Sequence, residues 1–331
     1  MTENADSRTV QFPPYGIMNN EFLKNLGAAF LMASPGEPEV PPDFQALAQS
    51  GASRQQQWRD LREEMLGLMR DAVWPIWDEQ SLQWVGNARD NMLALTLADL
   101  EILLKLRAGP DTLALNTKPD AKPRAIDCPL HFAFFKEEDP GNIFQSYLAY
   151  DRTLDSKLPQ TFASAFFAGL SAKCSSTQLQ YKTRFQRPRA YQMALLLRKT
   201  DFNLEEAISS MTSSMISGHS IQGMIGVGAV MERIVETGIT FSDDSWQSLR
   251  QYAVDIGDRR VMAGVHYPSD NVGSWIVLMR LARRIYRSDG IKKMLWQAIE
   301  SQSLVYRMIQ ESGAKAYASA LGLLYKMRDA D

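Results

Sequence analysis

The 331-residue sequence predicts an all-α globular domain behind a mostly irregular N-terminal arm. Three observations carry that expectation. Apolar residues recur at three- and four-residue steps through most of the chain beyond Gln55. Period-two alternation bounded by turn residues is nowhere convincing, so no sheet is expected. The composition, 45% hydrophobic and 22% charged, can bury a sizeable core.

The arm spans residues 1–45, and one helical domain spans 46–331 with its motif-bearing core at about 140–290. Pro13-Pro14, Ser34-Pro35-Gly36-Glu37-Pro38 and Pro41-Pro42 interrupt any helix that Phe22 to Met32 begins. From Gln55, the residues Trp58, Leu61, Met65, Leu68, Met69 and Ala72 lie on one helical face. A second helix is expected over Asn87–Arg107, with Leu93, Leu97, Leu100 and Leu104 as its apolar stripe and Gly109-Pro110 as its stop. Ala108 to Asp127 reads as a long loop, followed by short helices near Asn142–Arg152 and Gln160–Lys173. Amphipathic spacing then predicts helices over Leu204–Ser214, Ser220–Glu236, Ser245–Asp258, Ser269–Arg287 and Ser303–Arg328.

Composition also limits function. Lys plus Arg (36) nearly balance Asp plus Glu (38), so the chain lacks the overall basic footprint of a nucleic-acid binder. Cys128 and Cys174 make neither a disulfide framework nor a metal-ligand pair. No apolar run approaches the eighteen residues of a membrane span, and the polar start lacks the order of a signal peptide. The expectation is a soluble, cytoplasmic protein. Trp74, Trp77 and Trp84 read as core, with a pocket or a subunit interface as the alternatives.

Histidine is scarce, so each can be weighed singly. His131 sits in the apolar run Pro129 to Phe135 and reads as a core or rim residue. His219 follows Ser217-Gly218 at the start of a helix, where unpaired backbone N–H groups favour anions. Taken alone, that tripeptide is a plain helix cap with an incidental histidine. His266 precedes Asp270 by four residues, placing a carboxylate within reach of one ring nitrogen and leaving the other as nucleophile or base. The plainer role for Asp270 is a helix cap. Lys182, Arg184, Arg187 and Arg189 crowd the segment from Tyr181 to Arg189. On one helix Lys182 and Arg189 would project from nearly the same side, although Pro188 interrupts it. Lys182, Arg189 and Arg260 with Ser217, Gly218, His219 and the His266–Asp270 pair make the inventory a tetrahedral oxyanion needs: cations, neutral donors, a nucleophile and an acid.

Lys182-x6-Arg189, Ser217-Gly218-His219 and Arg260-x5-His266-x3-Asp270 resemble the three ordered motifs of the type 2 phosphatidic acid phosphatase superfamily. That superfamily includes bacterial non-specific acid phosphatases and vanadium-dependent haloperoxidases. The motifs span about a quarter of the chain, and residues before about 140 carry no resemblance. Three positions depart from the family pattern: Ala190 and Ile216 replace prolines, and Arg259 replaces a serine.

The resemblance implies a helical bundle of that superfamily's type and a soluble, metal-independent phosphatase acting on a small-molecule phosphomonoester. His266 would become the phosphohistidine, Asp270 would orient it, and His219 would protonate the leaving oxygen and then activate water. Lys182, Arg189, Arg260, Ser217 and the Gly218 N–H would bind the phosphoryl oxygens. No cofactor is expected in this reading. The alternative is a vanadium-dependent haloperoxidase, in which the same residues hold vanadate and His266 is the vanadium ligand. Thr212 tilts the reading to the phosphatase, because bromoperoxidases of the superfamily tend to carry a histidine there. A third reading, from another class, is a non-catalytic helical protein using Tyr181–Arg189 on an acidic partner or RNA. Homo-oligomerisation and the role of the first 140 residues stay open.

Overall fold

The computed structural model describes residues 52–86, 91–107, 177–198, 212–238, 240–262 and 264–330. The N-terminal arm, the expected loop after residue 107, the two short helices before residue 174, both cysteines and His131 lie outside the described residues. So does most of the helix expected at Leu204–Ser214, whose last residues, 212–214, are not helical.

The described residues are mainly helical: α1 (Ala52–Ala72), α2 (Met92–Arg107), α3 (Thr177–Phe185), α4 (Ala190–Leu196), α5 (Gly218–Thr237), α6 (Asp243–Met262), α7 (Pro268–Ile285), α8 (Asp289–Gln302), α9 (Leu304–Ser312) and α10 (Ala318–Asp329). Among them none is long and apolar enough to cross a membrane. Every residue of α7 from Pro268 to Met279 is buried, so this helix is the axis of the bundle. It packs against α2, α5, α6, α8, α9 and α10, and α1 covers α10 from outside. The whole second half of α6, Gln251 to Met262, is likewise buried.

Helices α5 and α6 share the most extensive contact among the described elements. Gly238 ends α5 in the left-handed conformation (φ +64°), and Asp243-Asp244 begin α6 with negative charge at its positive end. Along their crossing Gly257 lies against Ser220: a Cβ on Gly257 would sit 2.8 Å from the Ser220 Cα. Only glycine permits that approach.

Four sequence expectations change. First, a two-stranded antiparallel hairpin pairs β1 (Ile76–Asp78) with β2 (Gln83–Val85), in register Trp77 opposite Trp84. Three-residue strands are too short to display alternation, which is why the sequence concealed them. Trp74 and Trp77 are buried as core, and Trp84 stacks edge-on to Trp77 at 5.2 Å. Second, the stripe on α2 holds only in part: Leu100 is buried and Leu104 packs partly against the core, but Leu93 is 51% and Leu97 40% exposed, and Leu95, Asp99, Ile102, Leu103 and Leu106 are buried instead. Leucines on both faces hid the inward side, and that side is the one carrying Asp99. Third, Lys182 and Arg189 do not share a helix. α3 stops at Phe185, Gln186 adopts φ +49°, and Arg189 stands immediately before α4. Fourth, the helix expected over Ser303–Arg328 is divided into α9, a 3-10 turn (Lys315–Tyr317) and α10, with the break at Gly313 (φ +58°).

Candidate active site

Three chain segments meet at the N-terminal end of α7. The first is the loop between α6 and α7. Gly264 ends α6 at φ +73°, and the chain turns so that the Val265 and His266 N–H groups both donate to the Arg260 carbonyl, at 3.2 and 3.3 Å. This turn is the physical content of the Arg-x5-His spacing. Pro268 occupies the first turn of α7, where its missing N–H is harmless. Asp270 follows in that turn, and its Oδ2 accepts the Tyr267 N–H at 3.0 Å. The aspartate is therefore a helix cap and a histidine partner at once, because His266 Nδ1 lies 3.0 Å from the same oxygen.

The second segment is residues 212–217, leading into α5. Ser217 caps that helix, its Oγ accepting the Ser220 N–H at 3.3 Å, and its own N–H meets the Asp270 carbonyl at 3.4 Å. Ser274 on α7 donates to the Ser217 carbonyl at 2.8 Å. The start of α5, with Gly218 and the half-buried His219, is thereby anchored to the start of α7. Gly218 packs on Gln178 of α3, whose Cγ would lie 3.2 Å from an added Cβ.

The third segment runs from α3 to α4. Lys182 donates to the Ser213 and Ser214 carbonyls at 2.6 and 3.1 Å, Ser213 Oγ donates back to the Lys182 carbonyl, and the Ser214 N–H donates to the Arg187 carbonyl. The hairpin supports this seam, with Trp84 Nε1 donating to the Phe185 carbonyl at 2.9 Å. Arg189 is held from both sides. It donates to the Thr212 carbonyl at 2.7 Å, to Thr212 Oγ1 at 3.2 Å and to the Val265 carbonyl at 2.6 Å. Its Nη1 also lies 3.1 Å from His266 Nε2.

A guanidinium has hydrogens to donate and no acceptor. Nε2 of His266 is thus the unprotonated nitrogen, and Nδ1–H donates to Asp270. Burial, and next the charge of Arg189, hold the His266 imidazole well below its ordinary value, against the pull of Asp270. Burial alone would raise Asp270, but Arg187 beside it and hydrogen bonds from His266 and Ser214 bring it well below the carboxylate range. The pair is a neutral imidazole oriented by an ionised carboxylate, with the in-plane lone pair of Nε2 facing a cation.

Cations converge here. The Lys182 ammonium is pushed well below its ordinary value by burial first, then by Arg189, with Arg260 adding in the same sense and Asp270 opposing. Lys182, Arg189 and Arg260 are each less than a tenth exposed. Arg260 occupies the last turn of α6, where the helix dipole favours a positive charge. Lys182, Arg189 and Arg260 are buried near enough for both arginines to act on the lysine, and positive charge gathered in this way favours an anion.

Of the residues singled out in the sequence, Lys182, Arg189, Arg260, His266 and Asp270 come together in this way, and Ser217 with Gly218 borders them at the α5 terminus. Pro188 follows Arg187, yet Arg189 is the arginine that meets His266 Nε2. Sequence reasoning gave no role to Arg187, Asp99, Ser214, Ser269 or Tyr317. Arg187 donates to Asp270 Oδ1 at 2.7 Å and to Asp99 Oδ2 at 2.8 Å, and Ser214 Oγ donates to Asp270 Oδ2. The only available signal was Arg187 inside the basic cluster, where three of the four cations, Lys182, Arg187 and Arg189, are buried and only Arg184 is exposed.

No protein-family model, curated protein or solved structure matches this chain.

Proposed function

We propose that the chain is a phosphomonoesterase that works through a phosphohistidine on His266. The observation that carries this reading is the unprotonated Nε2 of a buried, Asp270-oriented imidazole, set beside Arg189 among three converging cations. A dianionic phosphoryl group would be attracted by these positive charges, and Nε2 supplies the nucleophile.

In the first step the Nε2 lone pair forms a bond to phosphorus while the bond from phosphorus to the ester oxygen breaks. His219, protonated and positioned in the first turn of α5, gives its proton to the departing oxygen, which leaves as the alcohol. Lys182, Arg189 and Arg260 neutralise the equatorial oxygens, with Ser217 Oγ–H and the Gly218 N–H as neutral donors. In the second step His219, now neutral, takes a proton from water as that water's oxygen attacks phosphorus. The N–P bond breaks, inorganic phosphate leaves, and His219 is again protonated. Asp270 stabilises the positive charge on the imidazole while the N–P bond exists.

The same cradle fits vanadate, which shares the shape and charge of a phosphoryl group, and vanadate bound there would support peroxide-dependent halide oxidation. Thr212, whose carbonyl and hydroxyl both hold Arg189, stands where the bromoperoxidase-like pattern calls for a histidine, which favours the phosphatase.

The test is hydrolysis of p-nitrophenyl phosphate by chelator-treated protein from pH 4 to 8, with and without orthovanadate. Turnover that survives chelation and is inhibited by vanadate, with acid-labile phosphate trapped on His266, is the expected result. Peroxide-dependent halogenation after vanadate loading, without hydrolysis, would replace this reading with the haloperoxidase. Neither activity would remove both.

A further inference from the structure

We propose that Asp99 and Arg187 are positioning residues that set the orientation and tautomer of His266 by clamping Asp270, so that α2 and the C-terminal 3-10 turn form part of the active-site architecture. The proposal rests on the phosphohistidine reading for its catalytic meaning and on geometry alone for its structural content.

Asp270 presents two oxygens with distinct duties. Oδ2 accepts from His266 Nδ1, Ser214 Oγ and the Tyr267 N–H. Oδ1 accepts from Arg187 Nη1 at 2.7 Å. The carboxylate cannot rotate to relax one set of bonds without breaking the other. Arg187 is itself fixed on three sides. Nη1 also donates to Ser269 Oγ at 2.7 Å, Nη2 donates to Asp99 Oδ2 at 2.8 Å, and the guanidinium lies 3.9 Å over the Tyr267 ring. Asp99 is held in turn by the Ser269 N–H at 3.0 Å, by Ser269 Oγ and by Tyr317 Oη at 2.8 Å. Every member is at least 97% buried, so solvent cannot substitute for a lost partner.

The chain path gives the clamp its reach. Asp99 comes from α2, Arg187 from the link between α3 and α4, and Tyr317 from the turn before α10. A planar fork is needed to bridge two carboxylates at once, and a lysine ammonium does not reproduce it. The bridge explains why a single acidic residue is buried on the inward face of the leucine-rich α2.

The test compares Asp99→Asn, Arg187→Lys and Tyr317→Phe with the parent. Two readouts are used: the ¹⁵N shifts of the His266 ring near pH 7.5, and the kcat against KM split for p-nitrophenyl phosphate. Tyr317→Phe removes one hydroxyl and leaves Asp99 its other partners, so it stays measurable if the other variants fold poorly. The parent ring should show a single Nδ1–H tautomer. The variants should show a mixture, with kcat lowered about 10- to 100-fold in Asp99→Asn and Arg187→Lys, by less in Tyr317→Phe, and KM changed little. A single Nδ1–H tautomer with parental kcat in the folded variants overturns the proposal. A tautomer mixture in protein that hydrolyses no phosphoester sustains the clamp and removes the phosphatase reading instead.

Discussion

Arg189 Nη1 lies 3.1 Å from Nε2 of His266, the ring nitrogen that does not face Asp270. A donor-only group on one nitrogen and a carboxylate on the other leave one neutral tautomer, with the proton on Nδ1. The relationship joins two residues that lie 77 positions apart in the sequence.

If Nε2 is the nucleophile, His266→Ala should lower hydrolysis by roughly a thousandfold or more. The variant leaves the buried Asp270 with one partner fewer, a loss of about 1–3 kcal/mol in stability. Steady-state assay and urea unfolding of the same preparation check the two effects. Retained turnover in folded protein would sink the assignment.

Arg189→Lys keeps a charge but loses the fork that reaches Thr212, Val265 and His266 together. The substitution should lower kcat/KM about 10- to 100-fold and weaken competitive inhibition by inorganic phosphate in parallel. Inhibition by phosphate that is unchanged would place the anion elsewhere.

Gly257→Ala tests the link between packing and chemistry. The new methyl would lie 2.6 Å from the Ser220 Cβ and 2.8 Å from its Cα, so α5 must move away from α6. Overpacking of this kind costs about 1–3 kcal/mol, and displacement of the turn carrying His219 should lower kcat by as much as about 100-fold. Urea midpoints and kcat are the measurements, and parental values for both would refute the close crossing.

Asp258 stands outside the proposed reaction and offers a pH signature. Burial pushes its carboxyl up to about 7, against hydrogen bonds from Ser303, Val305, Leu304 and Asn271. Because the folded value exceeds the ordinary 3.8, the folded state holds the proton more tightly. The group's contribution is full below about pH 4 and is lost as pH rises through 7. Asp258→Asn carries no charge at any pH, so its stability relative to the parent should improve from pH 5 to pH 8, by an amount on the order of a few kcal/mol. Unfolding in urea at both values measures it, and a constant difference would mean that Asp258 is ionised throughout.

Much of the helical scaffold was legible because its signals are local. Ser217 before α5, Pro268 in the first turn of α7 and the apolar spacing of α6 act within a few residues, whereas α8 was not among the expected helices. The hairpin was not legible, since a three-residue strand gains its meaning only from its partner. The orientation of α2 was hidden for a related reason: Leu93 and Leu97 are as apolar as Leu95 and Leu103, and hydrophobicity alone does not say which pair faces inward. The break between α3 and α4 was signalled by Pro188, but the two directions taken by Arg187 and Arg189 were not.

From the sequence alone came the helical class, the residue types of the site and the partnership of His266 with Asp270, because four residues of chain bring those two groups together at a helix start. The tertiary structure alone decided which arginine meets Nε2, which one clamps Asp270, and that Asp99 and Tyr317 support the clamp. Those relations depend on how helices distant in sequence rotate and cross, and helix rotation is set by burial of whole faces rather than by any neighbouring residue.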